Sequence, residues 1–170
     1  MSEPHAGIPV LFLCRDNAIL SPMAEALLNH WGRGRFRALS AGWEPAAGVH
    51  ELTARVLRRA QLLPAVLRPR DWSELAVEGA PAFRILVVLG HVMPEREVFG
   101  VKGNPLLAHW QIHDPLSQEG PAEARERAFE RALREIEARV KLFASLPIDS
   151  LDRLAAARRL AEIEAASGTP

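Results

Sequence analysis

The chain is short of the features that sort a protein quickly. It has a single cysteine, Cys14, so an internal disulfide is excluded, and a lone thiol is more at home in a reducing compartment. It has no excess of either charge. Its 21 basic and 21 acidic side chains leave no summed field to draw nucleic acid or an anionic membrane from a distance. It lacks any apolar run near the roughly 20 residues of a membrane span. Met1, Ser2, Glu3, Pro4 and His5 carry neither the basic nor the apolar region of a signal peptide. Internal repeats and low-complexity tracts are also missing. These absences lead us to expect a cytoplasmic protein with no cofactor, no nucleic-acid partner and no membrane partner.

What is present is enough apolar material for a core. With 170 residues, 48% of them apolar, the chain fits one domain with little room for a second. Apolar runs of strand length alternate with helical patterns, the arrangement of a parallel sheet covered by helices, so the fold class is α/β. Residues 8–13 are too short and too continuous for an amphipathic helix and suit a strand buried on both faces. A helix over 22–31 follows, with Ser21 as N-cap and Pro22 at the first helical position, where its missing N–H costs nothing.

Alternation at Phe36, Ala38 and Ser40 predicts a second strand that closes at Ala41 and Gly42. Residues 50–61 place Leu52, Val56, Leu57 and Ala60 on one helical stripe. A short strand is expected at 65–67. Residues 85–89, continuous and rich in β-branched side chains, belong at the sheet centre and end at Gly90. The stretch 90–105 reads as a loop with a helical turn at 95–98, and 106–112 as the final strand. Pro121 opens a long helix that carries Ala128, Phe129, Ala132, Leu133, Ile136, Val140 and Phe143 on one face, and Pro147 stops it. The alternating charges of 123–141 are a solvated helix face. Asp149 or Ser150 would cap a last helix running to about residue 166. The expectation is a single three-layer domain over 1–146, a central four-stranded parallel sheet flanked by helices. A helical extension over 147–170 packs on it or trails from it.

Cys14 ends the first strand. Arg15, Asp16, Asn17, Ala18, Ile19 and Leu20 form a loop, and Ser21, Pro22, Met23, Ala24 and Glu25 open a helix. This segment resembles the signature of low-molecular-weight protein tyrosine phosphatases and of the arsenate reductases built on their fold. Ser40, Ala41 and Gly42, the run 108–115 and the tail 146–153 resemble the arsenate-reductase type, so the resemblance covers most of the chain. It implies the phosphotyrosine protein phosphatase I fold, with Cys14 as nucleophile and with Asn17 and Ser21 holding the loop in shape. In the His113, Asp114, Pro115 group it implies that Asp114 is the general acid, protonating the leaving oxygen and later helping to activate water. The implied ligand is a phosphate- or sulfate-like anion, or a phosphoprotein, held by residues 15–21. Ser40, Trp43, Trp110 and His113 are placed at the pocket rim.

The elbow has a physical logic of its own. A strand feeding a tight loop and a helix aims successive N–H groups and the positive helix end at one spot, where an oxyanion is held. A cysteine in such a field falls below its free value of ~8.5 and becomes a nucleophile at neutral pH. Two residues depart from the family pattern. Leu20 stands where the pattern has an arginine whose planar fork grips two phosphate oxygens. Losing one preorganised donor to a developing charge costs ~3–4 kcal/mol, and losing a bidentate cation is expected to cost at least that. Asp16 stands where the family usually has glycine. A carboxylate there repels the anion and, pointing inward, raises the thiol pKa. Arg15 and Arg33 are candidates to supply part of the missing grip.

Three functional readings stand side by side. The first is a pseudo-phosphatase that has lost or strongly weakened hydrolysis and binds a protein partner or a small oxyanion. The second is an active cysteine-dependent phosphate-monoester hydrolase using Cys14 and Asp114. The third is a thiol sensor or an arsenate reductase served by an external thiol. An internal thiol relay needs a second cysteine. Where relatives of the arsenate-reductase type often carry one, after the central strand, this chain has Leu89, Gly90 and His91. Each feature also has a structural reading: Cys14 as a small core residue, Asp114 as a turn or cap residue, Trp43 and Trp110 as packing. His109, His113 and Asp114 lack a convincing further ligand, so no metal is expected.

Overall fold

A computed structural model describes residues 7–62, 68–95 and 100–166. The expected strand at 65–67 and most of the expected turn at 95–98 lie outside the described residues.

Four parallel strands, β1 (Ile8–Cys14), β2 (Phe36–Gly42), β3 (Ile85–Leu89) and β4 (Leu106–Trp110), form one sheet in the order β2-β1-β3-β4. Four helices accompany them: α1 (Leu20–Trp31), α2 (Glu51–Arg59), α3 (Ala122–Ala144) and α4 (Arg153–Ala166). The fold is α/β. β1 and β3 read as unbroken apolar runs because both of their faces are covered. Val10, Phe12 and Cys14 share one face with Ile85, Val87 and Leu89, and all four helices pack there through Leu27, Leu57, Ile136 and Leu160, among others. Leu11 and Leu13 point the opposite way with Leu86 and Val88 into a smaller core that a 3₁₀ helix, Trp72–Leu75, closes together with Phe83 and Val101.

The chain leaves β1 for β2 on one side and returns to β3 on the other. The order therefore reverses between β1 and β3, where the carboxyl ends of neighbouring strands leave a crevice in sheets of this kind. Cys14, Gly90 and Ile112 stand at or just past the carboxyl ends of β1, β3 and β4.

Several helix ends differ from expectation. α1 starts at Leu20, and Ser21 is inside it rather than at its cap; its side chain is taken up by the neighbouring loop. His50 caps α2 instead of belonging to it, its Nδ1 accepting the Leu52 N–H at 3.1 Å. Asp149 and Ser150 lie in a 3₁₀ turn, and Asp152 accepts the Ala155 N–H at 2.8 Å to start α4. α4 packs Ala156, Leu160 and Ile163 as buried side chains, the last two in the large core.

Candidate active site

Loop 15–19 is fixed from behind. The Arg15, Asp16 and Ala18 carbonyls accept the N–H groups of Glu44, Ala46 and His50 at 2.8, 2.9 and 3.0 Å. With the loop carbonyls held by this segment, the Ser21 N–H, at 3.4 Å, and the Asn17 backbone reach the Cys14 sulfur, the kind of donor set an anion cradle uses. Gly42 allows that approach: a Cβ there would sit 2.6 Å from the Arg15 carbonyl oxygen and 2.9 Å from the Asn17 nitrogen. Asn17 takes a positive φ of 49°, which asparagine tolerates better than most residues. Its side chain is fully used. Nδ2 donates to Ser21 Oγ at 2.8 Å and Ser40 Oγ at 2.9 Å, while Oδ1 accepts the Arg70 N–H at 2.9 Å. Ser40 passes the chain on, donating to Glu25 at 3.1 Å. Burial raises the Glu25 pKa, against the pull of nearby Arg70 and the Ser40 bond.

Cys14 is buried at the floor of this loop. Its Sγ lies 2.9 Å from Ser21 Oγ, accepts the Ser21 N–H at 3.4 Å, and donates to Asp16 Oδ1 at 3.4 Å. Asp16 Oδ1 also accepts the Ala18 N–H at 2.9 Å. A carboxylate oxygen therefore occupies a loop donor directly beside the sulfur. Burial, and second to it the Asp16 charge, push the thiol pKa up to about 11, against the lowering effect of hydrogen bonds from Ser21 and Asn17.

Above the sulfur opens a cavity of about 340 Å³ lined by Cys14, Arg15, Asp16, Ile19, Leu20, Trp43, Leu89, Gly90, His91, Val92, Ile112, Asp114 and Leu116. The first-strand loop and the Asp114 segment thus meet at one opening, and Trp43 stands at it. Asp114 Oδ1 accepts the Leu116 N–H at 2.9 Å and caps the 3₁₀ turn Pro115–Ser117.

The other residues assigned to the rim lie elsewhere. Trp110 is fully buried against Phe12 and Phe143, because it shares the parity of Ala108 and faces the large core. Ser40 is buried behind the loop as a hydrogen-bond link. His113 faces Ser117 and a separate groove along α3. Arg15 lines the cavity with its guanidinium 3.4 Å from Glu44 on the exposed side. Arg33 is in the turn after the 12-residue α1, about 18 Å along the helix from the loop. His109 Nε2 is engaged at 2.6 Å by the Gly90 carbonyl. Of the wall residues, Val92 and Leu116 carry no local motif that marks them; Leu89, Gly90 and Ile112, and the supporting Glu25, lie in segments the sequence singles out without pointing to this role.

A model of the family described as low molecular weight phosphotyrosine protein phosphatase matches residues 9–88. An arsenate reductase from Archaeoglobus fulgidus is 32% identical, with 81% of this chain and 99% of that one covered at a TM-score of 0.61. The chain belongs to the low-molecular-weight phosphatase and arsenate reductase family. Two more distant structures share the fold. An arsenate reductase in the phosphate binding state is 18% identical, with 81% and 97% covered at a TM-score of 0.66. The tyrosine phosphatase Wzb from Escherichia coli K30, in complex with sulphate, is 20% identical, with 80% and 95% covered at a TM-score of 0.59. A comparison with curated proteins finds no match. Among the described residues, no helix is long and apolar enough to cross a membrane.

Proposed function

We propose that this family member is a pseudo-phosphatase: the loop and its supports persist as a scaffold, while phosphoryl transfer is lost or strongly weakened. The observation that carries this reading is the Asp16 carboxylate, which accepts hydrogen bonds from both the Ala18 N–H and the Cys14 thiol. A nucleophile must be a thiolate. Burial, and second to it the Asp16 charge, push the thiol pKa up to about 11, so Cys14 stays protonated at pH 7. The Leu20 side chain adds hydrocarbon to the wall where the family pattern has a guanidinium, and Arg15 is drawn toward Glu44. The sulphate and phosphate complexes of the distant structures belong to those proteins. Here the same chemistry meets a carboxylate and an apolar wall, so oxyanion affinity is reduced.

The raised thiol pKa also counts against a thiol sensor or an arsenate reductase fed by an external thiol, both of which need a reactive sulfur. Asp114 is retained at the cavity as an exposed turn cap, without a working nucleophile to serve. We further assign the protein to the cytoplasm, where a lone unpaired thiol persists.

The test is turnover of an aryl phosphate by wild type and Cys14→Ser. Indistinguishable background rates are expected. Hydrolysis by the wild type that vanishes in Cys14→Ser would restore the reading of an active phosphatase with Asp114 as general acid.

A further inference from the structure

The cavity over Cys14 is walled by chemistry unsuited to a dianion, and we propose that it binds a small arylalkyl ammonium ion, the apolar body against its hydrocarbon wall and the charged head toward Asp16 and Asp114. The inference rests on the reading of a protein without phosphoryl transfer and names the ligand class of that same site.

The volume of about 340 Å³ falls within the range of small-molecule sites. Ile19, Leu20, Leu89, Val92, Ile112 and Leu116 make most of the wall apolar, and Trp43 adds an aromatic side, which suits an aryl body and a cationic head alike. Leu20 approaches Gly90 across this space: a Cβ at Gly90 would stand 3.6 Å from Leu20 Cδ1.

Charge decides the sign of the head group. Among the charged side chains of the lining, Arg15, Asp16 and Asp114 sum to one net negative charge, and Glu44, outside the lining, holds the Arg15 guanidinium at 3.4 Å. An entering anion would lose water to hydrocarbon while facing two carboxylates, and the Ala18 N–H is already satisfied by Asp16. An ammonium donates charge-assisted hydrogen bonds to carboxylates such as these two. A neutral aryl compound gains only the burial.

Titration of the full chain with phenethylamine, phenethyl alcohol and phenyl phosphate, at pH 7 and low ionic strength, tests this. Amide chemical shifts and calorimetry provide the readout. The amine should saturably shift the amides of Leu20, Gly90 and Ile112, with the alcohol about tenfold weaker for want of the charged head. Phenyl phosphate should leave these amides unmoved. Asp114→Asn keeps the capping ability of the side chain, so it should fold, and it should narrow the gap between the amine and the alcohol by weakening the amine more. Equal binding of amine and alcohol, no amine binding, or tighter binding of phenyl phosphate overturns the proposal. A turnover assay on the same sample separates the two levels. Cys14-dependent hydrolysis of phenyl phosphate sinks both the pseudo-phosphatase reading and this inference, whereas an inert protein that also ignores the amine overturns the inference alone.

Discussion

The Cys14 thiol donates to Asp16 Oδ1 across 3.4 Å, and that one oxygen also accepts the Ala18 N–H at 2.9 Å. The cradle's geometry and its charge have thereby been separated. The backbone still presents donors beside the sulfur, but an internal carboxylate uses one of them and, second to burial, favours the protonated thiol. Ser21 completes the arrangement: its oxygen accepts from Asn17, which leaves its own proton free to point at Sγ.

Thiol reactivity reports this directly. Alkylation of Cys14 should rise only at strongly alkaline pH, with a midpoint near 11, because burial and then Asp16 oppose ionisation. Asp16→Asn removes the second cause and should lower the midpoint, which stays above that of a free cysteine because burial remains. The measurement is the iodoacetamide rate against pH for both proteins. A midpoint at or below the ordinary thiol value in wild type would contradict the geometry.

Restoring the family residues should restore the anion. Leu20→Arg with Asp16→Gly supplies a forked cation and frees the Ala18 N–H, and calorimetry should then detect sulfate or phosphate binding clearly tighter than that of the wild type. A stability cost of about 1–3 kcal/mol is expected, since Leu20 is a buried side chain in the large core. A folded double variant that still ignores both anions would show that the cradle has diverged beyond these two positions.

Much of this site was legible in the chain because its parts are local. The run into Cys14, the loop and Asp114 are contiguous or carry a dipeptide cue, and β1 and β3 announce themselves as continuous apolar runs covered on both faces. What was missed depends on tertiary partners. Ser21 has the composition of an N-cap, yet Asn17 and Cys14 claim its hydroxyl. Trp110 has the composition of a rim aromatic, yet strand parity from Ala108 turns it into the core. The 3₁₀ helix Trp72–Leu75 was not among the expected elements, although the spacing of Asp71 and Glu74, which form a capping box, made it readable. The apolar cavity wall was not readable, because Leu89, Ile112 and Leu116 come from separate segments and share no spacing.

Gly42 gives a test of the scaffold independent of the chemistry. Ala at this position would place a methyl group 2.6 Å from the Arg15 carbonyl oxygen and 2.9 Å from the Asn17 nitrogen, both backbone atoms that cannot swing aside. Gly42→Ala should therefore cost about 2 kcal/mol or more in urea unfolding and disturb the amide shifts of residues 14–18. An unchanged midpoint with unchanged shifts would mean that the loop does not lie this close to β2.

Stability against pH should carry the imprint of the same thiol. The folded pKa of Cys14 lies above its ordinary value of 9.0, at about 11, so the folded state prefers the protonated form more strongly than the unfolded chain does. The sign follows: the contribution is complete below pH 9.0, declines as pH rises through the interval up to about 11, and is gone above it. Two pKa units correspond to about 3 kcal/mol, lost on raising the pH and not on lowering it. Cys14→Ser has no group that titrates there, while every other base and acid is common to both proteins. The difference between their urea-derived stabilities should thus be flat from pH 6 to 8 and then shift against the wild type by up to about 3 kcal/mol toward pH 11. A difference that stays flat across the alkaline range would show that the thiol ionises as readily in the folded protein as in the unfolded chain, removing the main support for an unreactive Cys14.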